Sequence, residues 1–483
     1  MTADADTDRA PRRNVLAVPA VVFVAAVAVI VLLAPPNQWV AWSGSAPPDI
    51  RVRNVIVVIV DGWGYNHIAA TNLYASGGEG RQPYEAFPVR YAMSTYPKGG
   101  RYDGRRAWAD FGYVEMGATD SAAAATAMST GVKTIRHVLG VDARGRPLKH
   151  VLERAEDLGK ATGVVTSVAF SHATPAGFVV HNASRGNYEQ IAREMIEQSP
   201  IDVIMGCGHP FYNRDGRSVP GGHGFKYAGG RELWNALATG RAGAGVDADH
   251  NGRLDDAWRL ISAREAFRAL ARGPAPKRVI GVPRVFQTLQ EKRSGDVSAA
   301  PGGAPFIETV PSLAEMTRAA LNVLDDDPDG LFLMVEGGAV DWTSHGNESG
   351  RLIEEMLDLG RAVEAVIAWV EANSNWAETL VIVTGDHECG YLTRPSDDVA
   401  ADPPWPNEPL VGRGAGRLPG MQWNSTSHTN SLVPFFAKGE AARLFEQYAT
   451  RTDPVRGPTL DNTAVGRLIF SILRDGQTPP RPR

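Results

Sequence analysis

VIVVIV at residues 55–60, closed by Asp61, is an unbroken β-branched run, too short for a buried helix and without the alternation of a half-exposed strand. It reads as a strand covered on both faces. Working outward, runs of the same kind recur as GVVTSV (163–168), IDVIM (201–205), RVIGV (278–282), LFLMV (331–335) and LVIVT (380–384). Amphipathic stretches at 148–158, 186–198, 312–325 and 349–373 lie between or beside them. The alternation of strand and helix predicts an α/β fold with a large, mostly parallel central sheet and helices on both faces. Two stretches break the pattern, about 208–275 and about 391–427. Both read as loop-rich insertions, and long connections of this kind are candidates to overhang a site.

The whole chain sets further bounds. At 483 residues with 43% apolar composition, a sizeable core is available. The formal net charge is -5 and no Lys/Arg-rich block is present, which argues against nucleic acid as the main partner. Two cysteines, Cys207 and Cys389, make no disulfide framework, and a single bridge between them stays open. Near the N-terminus, Arg9, Arg12 and Arg13 precede an uncharged apolar run over residues 15–34. As a helix this run is about 30 Å long, enough to span a bilayer, with the arginines on the cytoplasmic side and everything after about Pro35 exported. An uncleaved anchor is expected ahead of a cleaved signal peptide, whose apolar core is usually only about 7–15 residues. The organisation expected is therefore a stub, apolar helix and linker over 1–48, a catalytic domain over 49–475, and a Pro-rich tail over 476–483.

Three of the strand runs end in residues that bind metals. Asp61 follows the first directly, Glu336 follows LFLMV, and Asp386 with His387 follow LVIVT after one glycine. In open α/β sheets ligands collect at the carboxyl ends of strands. Asp341 and His345 stand four apart, on one face of a helical turn, and carboxylate plus imidazole suits zinc. In TDSAAAATAMSTG an Ala-rich helix former follows Asp120-Ser121, which puts Ser121 at a helix N-terminus, where unpaired N–H groups attract phosphate. A serine hydroxyl becomes a nucleophile at neutral pH only with such help from metals or a base.

The segments DSAAAATAMSTG, HATPA, EGGAVDWTSHG, TGDHECG and SHTN occur in the order found in alkaline phosphatases, and the chain resembles that family across roughly residues 54–440. The resemblance implies hydrolysis of phosphate monoesters through a phosphoserine on Ser121. It assigns Asp341, His345 and His428 to one zinc, Asp61, Asp386 and His387 to a second, and Asp61, Thr174 and Glu336 to a magnesium. Arg185 matches the arginine that grips phosphate, its planar fork able to bind two oxygens at once. Small phosphomonoesters are the implied substrates and a homodimer the implied assembly. His172 and Trp342 stand where some relatives carry Asp and Lys, so weaker magnesium binding and weaker product binding are expected.

Alternatives remain in view. A phosphodiesterase of the same superfamily shares the two-metal sheet, but such relatives generally lack the Thr174, Glu336 and Arg185 set. A sulfatase needs a C/S-x-P-x-R setting, and alanines follow Ser121. A non-catalytic membrane-anchored binder of phosphate or metal would have lost a nucleophile or ligand, and none is missing. Separately, Asp247, Asp249, Asn251 and Asp255 in DADHNGRLDD fit the first part of a calcium loop, although the twelfth position is Trp258. His67, Cys207, His209 and Cys389 read as structural.

Overall fold

The computed structural model describes residues 50–474 except 79, 81, 244–251, 254–255 and 396–408. The apolar run at 15–34, the tail from 476 and the calcium-loop residues Asp247, Asp249, Asn251 and Asp255 lie outside the described residues. Among the described residues no helix is long and apolar enough to cross a membrane.

In chain order the strands are β1 (Asn54–Val60), β2 (Val89–Ser94), β3 (Ala161–Ala169), β4 (Val203–Cys207), β5 (Arg259–Ile261), β6 (Val279–Gly281), β7 (Leu331–Gly337), β8 (Thr379–Gly385), β9 (Glu388–Cys389), β10 (Leu392–Thr393), β11 (Gln422–Trp423), β12 (His428–Thr429), β13 (Val433–Lys438), β14 (Arg451–Asp453) and β15 (Gly457–Asp461). An 11-stranded sheet runs β14-β15-β2-β13-β8-β1-β7-β3-β4-β6-β5, with β1 near its middle. From β8 to β5 every neighbour is parallel. At the other end β13 is antiparallel to β8 and to β2, and β14 to β15, so the sheet is mixed.

All six runs read as strands form strands of this sheet. The physical reason is plain in β1, where every residue is buried. Val55, Val57 and Ile59 point into one core, shared with Ala122, Ala125 and Met128 of the helix Ser121–Thr130 and with Leu468 and Ile469 of the helix Thr463–Ile472. Ile56, Val58 and Val60 point into a second core, shared with Leu321 of the helix Leu313–Leu324 and with Leu352, Met356 and Val363 of the helix Ser349–Asn373. Each such side chain contributes about 1.5–3 kcal/mol, and a one-residue slip would exchange the two faces of the strand. The position of residue 61 is thereby fixed.

The strands not expected from sequence are short, antiparallel or half-exposed. β2 carries Arg90 on an exposed position, β13 contains Pro434, and β5 has only three residues. β5 belongs to the stretch 208–275, which also forms the helices Arg231–Ala238 and Arg264–Leu270 and adds an edge to the main sheet. The expected helix at 186–198 is Tyr188–Arg193 continued by a wider turn over Glu194–Gln198.

Candidate active site

Three parallel strands end at one level. Val60 of β1 is in register with Gly337 of β7 and with Gly385 of β8, so Asp61, Glu336, Asp386 and His387 emerge side by side. The Gly62 N–H donates to Asp386 Oδ1 at 3.2 Å. Gly62 has φ +74°, and a Cβ there would lie 2.7 Å from Asp341 Cα, so only glycine lets the chain turn beneath the helix Ala339–His345. That helix presents Asp341 and His345 one turn apart, and the β9–β12 ladder brings His428 opposite Cys389. Nδ1 of His345 lies 2.6 Å from the Thr426 carbonyl and Nδ1 of His428 lies 2.9 Å from that of Thr119. Donating Nδ1–H to a carbonyl leaves Nε2 of each ring as a lone pair, the arrangement of a metal-binding histidine.

The donor spacings are those of a metal polyhedron. Donors about 2.0–2.1 Å from a common tetrahedral centre stand about 3.3–3.4 Å apart. His345 Nε2 is 3.3 Å from Asp341 Oδ2, His428 Nε2 is 3.4 Å from Asp341 Oδ1, and the two Nε2 atoms are 3.1 Å apart. In the second group His387 Nε2 is 3.3 Å from Asp61 Oδ1 and 3.3 Å from Asp386 Oδ2. The groups adjoin, with the His387 and His428 rings stacked at 3.6 Å between centroids. Asp61 Oδ1, Asp341 Oδ1 and Asp386 Oδ2 are buried without a hydrogen-bond partner. Orphaned carboxylate oxygens at this depth fit divalent cations.

Ser121 lies beside the second group and lines the same cleft as the first. It is the first residue of its helix, whose cap is Asp120, the Asp120 side chain accepting from the Ala123 N–H at 3.2 Å. Ser121 Oγ lies 3.3 Å from His387 Nε2, the ring nitrogen that also faces Asp61 Oδ1 and Asp386 Oδ2. Arg185 Nη1 donates to Asp120 Oδ2 at 3.1 Å and to Ser121 Oγ at 3.5 Å. Asp120 also accepts the His137 N–H, so one buried carboxylate aims the arginine and ties down the loop beside it. Sequence reading gave Asp120 and His137 no role, because an acidic residue before a helix is ordinarily only a cap. The cleft over Ser121 has a volume of ≈ 510 Å³, and Arg136, His137, Arg185, Asp341, His345 and His428 are among the residues lining it.

Of the residues expected in the third group, Glu336 lies in β7 and Thr174 in the short helix Ala173–Ala176. The Glu336 carboxylate accepts from the Thr166 hydroxyl, whereas Thr174 Oγ1 is buried without a hydrogen-bond partner. His172 is half-buried against the rings of Tyr188, Tyr227 and Trp342. Burial, with Arg185 and Lys226 nearby, lowers its pKa to about 3, so the neighbour of this group is a neutral imidazole. Trp342 presents an indole face toward the Lys292 ammonium at 5.3 Å from the ring centroid.

Without a cation the carboxylates are in conflict. Burial first, then Asp386 and Asp341, push Asp61 well above the usual carboxylate range. Burial raises Asp386 to about 6 and Glu336 to about 7. His345 is raised to about 9, mainly by its bond to Asp341. Each of these folded-state values lies above its unfolded one, so the metal-free native state holds extra protons and loses stability as pH rises through them. Bound cations remove that dependence. The stabilisation given by saturating metal is therefore expected to widen from pH 5 to about 7 and further to about 9, read as the gap in thermal midpoint with and without chelator. A gap that stays constant with pH would contradict this electrostatic reading.

The remaining residues read as structural divide. His67 Nδ1 accepts the Gly64 N–H at 2.6 Å, His209 Nδ1 accepts the Phe211 N–H at 3.2 Å, and Cys207 Sγ donates to the Ser167 carbonyl at 3.5 Å. Both cysteines are free and buried, so they are not bridged to each other. Cys389, however, lies among the donors of the first group. Trp258, at the twelfth calcium-loop position, is a core residue donating to the Ile196 carbonyl at 3.0 Å.

Comparison with known proteins identifies the family. The family profile described as alkaline phosphatase matches residues 52–405. Alkaline phosphatase 4 of Bacillus subtilis is 30% identical over 491 aligned residues, covering 88% of this chain and 90% of that protein. Alkaline phosphatase of Escherichia coli is 31% identical over 355 residues, covering 70% of each. The fold is similar to that of alkaline phosphatase from the Antarctic bacterium TAB5, with TM-score 0.60, 22% identity, and 88% of this chain and 98% of that one covered. Thermus thermophilus alkaline phosphatase is similar at TM-score 0.61 and 24% identity, with 92% and 96% covered. The chain belongs to the alkaline phosphatase family, enzymes that hydrolyse phosphate monoesters.

Proposed function

We propose that the protein hydrolyses phosphate monoesters by two in-line displacements through a phosphoserine on Ser121, at a site holding two zinc ions and one magnesium. The observation that carries this reading is the placement of Ser121 Oγ, 3.3 Å from His387 Nε2 and within reach of Arg185. Asp341, His345 and His428 would hold one zinc, Asp61, Asp386 and His387 the other. Asp61, Thr174 and Glu336, an oxygen-only set, would hold the magnesium. Bound there, the metals supply Lewis-acid stabilisation of the oxygens that gain charge and acidify hydroxyl groups held against them.

The chain's own residues do the rest. Arg185, held by Asp120, grips two phosphoryl oxygens with its fork, and the N-terminus of the Ser121 helix faces the same charge. Ser121 Oγ, its proton released to the cleft, attacks phosphorus as the bond to the leaving alcohol breaks, leaving the phosphoryl group on serine. Water then attacks from the vacated side, the serine–phosphorus bond breaks, and inorganic phosphate departs while Ser121 recovers a proton. Arg185 holds the same two oxygens in both halves, so the phosphoryl group is never free. The leaving group faces the open cleft, which supports broad specificity toward small phosphomonoesters. A homodimer and an exported catalytic domain, held by the apolar run 15–34 or freed from it, complete this reading.

Turnover of p-nitrophenyl phosphate is expected to exceed that of bis-p-nitrophenyl phosphate by about 10²-fold or more, since a monoester offers a third unesterified oxygen to the cations beyond the two Arg185 grips, and a diester puts a second ester group in its place. The reverse preference would move the assignment to a diesterase. At the third group, a His-to-Asp variant of the Antarctic enzyme is described with magnesium bound in that protein's M3 site. Here His172→Asp would replace a neutral imidazole with a carboxylate, and magnesium affinity is expected to rise about tenfold, as for one added charge interaction of about 1.4 kcal/mol. A magnesium titration giving equal affinities would exclude His172 from the site.

A further inference from the structure

We propose that Cys389 is a fourth protein donor to the metal held by Asp341, His345 and His428, making that centre a mixed nitrogen, oxygen and sulfur site that selects zinc-like ions. The inference rests on the reading of those three residues as ligands and adds a residue to which that reading gives no part.

The backbone makes the placement. Cys389 and Thr429 flank the two-residue ladder in which β9 runs antiparallel to β12, and Cys389 is the direct partner of His428. Directly opposed residues of an antiparallel pair project to the same face with their Cβ atoms about 4.5–5.5 Å apart. Sγ of Cys389, one carboxylate oxygen of Asp341 and one ring nitrogen each of His345 and His428 all lie within 4.8 Å of one another. The other buried thiol behaves differently, Cys207 Sγ resting on the Ser167 carbonyl. Cys389 is fully buried, yet its thiol faces the Asp341 carboxylate instead of an apolar wall.

On coordination the S–H bond breaks with its electron pair kept by sulfur, that pair forms the bond to the metal, and the proton leaves through the cleft. One thiolate and one carboxylate would then balance a divalent ion between two neutral imidazoles, and a fifth position would remain toward the cleft for an oxygen of substrate or water. Sulfur shifts such a site toward zinc, cobalt and cadmium and away from magnesium and manganese. The oxygen-only set of Asp61, Thr174 and Glu336 keeps the opposite preference. The two kinds of metal are thereby sorted within one cleft by donor chemistry.

The test uses the full chain with its metals exchanged for cobalt(II) and reads absorption, independent of turnover. Wild type and Cys207→Ser are expected to show a near-ultraviolet sulfur-to-cobalt charge-transfer band, which Cys389→Ser loses while cobalt uptake stays stoichiometric. His345→Ala identifies the visible cobalt bands that belong to this centre. Wild type with those visible bands but no sulfur band would overturn the role of Cys389 and leave the other three ligands standing. If His345→Ala changes no cobalt band, the ligand assignment itself falls, and the proposal with it.

Discussion

Ser121→Ala is expected to lower turnover of p-nitrophenyl phosphate by about 10³-fold or more while leaving the fold and the metal content unchanged. The reasoning is local. The Ser121 hydroxyl touches His387 Nε2 and Arg185 Nη1 and takes no part in capping, which Asp120 performs. Alanine is the best helix former and continues the run Ala122–Ala125, so thermal stability should shift by no more than about 0.5 kcal/mol. What the variant loses is the hydroxyl oxygen that lies within 3.5 Å of both His387 Nε2 and Arg185 Nη1. Turnover within tenfold of wild type in a folded variant would put the nucleophile elsewhere.

The second large effect concerns Asp61, and its sign depends on the metal. Chelation is expected to abolish turnover, with recovery on adding zinc and magnesium. Asp61→Asn should lower turnover by about 10²–10³-fold and resist recovery, because one carboxylate is asked to serve two of the three groups. In the metal-free protein the same substitution should stabilise the fold by on the order of 1 kcal/mol. Asp61 is buried, and Asp386 and Asp341 repel its charge when no cation intervenes. Thermal unfolding of both proteins with and without chelator checks the pair of effects. A variant less stable than wild type in both conditions would mean that Asp61 serves packing and not metal.

Much of this was legible in the sequence because it rests on burial at short range. β1, β7 and β8 are continuous apolar runs whose every residue is buried, and the chemistry begins where each run stops. The Asp341 and His345 pair is visible as a helical spacing for the same reason. What was not legible depends on chain pairing that leaves no local pattern. β13, with its proline, inserts antiparallel between β8 and β2, and the short β9–β12 ladder just before it in the chain carries His428 and Cys389 to the site. Cys389 lies in the TGDHECG segment two residues after His387, yet nothing in that spacing marks it as a ligand. Asp120 looked like a cap and is one, yet the same carboxylate also aims Arg185, from a segment 65 residues away. The charge of His172 has no local signal in the sequence, and burial among aromatic rings, with Arg185 and Lys226 nearby, favours the neutral form.

The central claim is that the phosphoryl group passes through Ser121. The most direct measurement is to quench the metal-loaded enzyme in acid during turnover of a phosphate monoester, digest it, and locate the phosphorylated peptide by mass spectrometry. The account predicts phosphate on Ser121 in wild type and none in Ser121→Ala. Phosphate found on another residue, or full turnover with an unmodified Ser121 and an active Ser121→Ala variant, would contradict it.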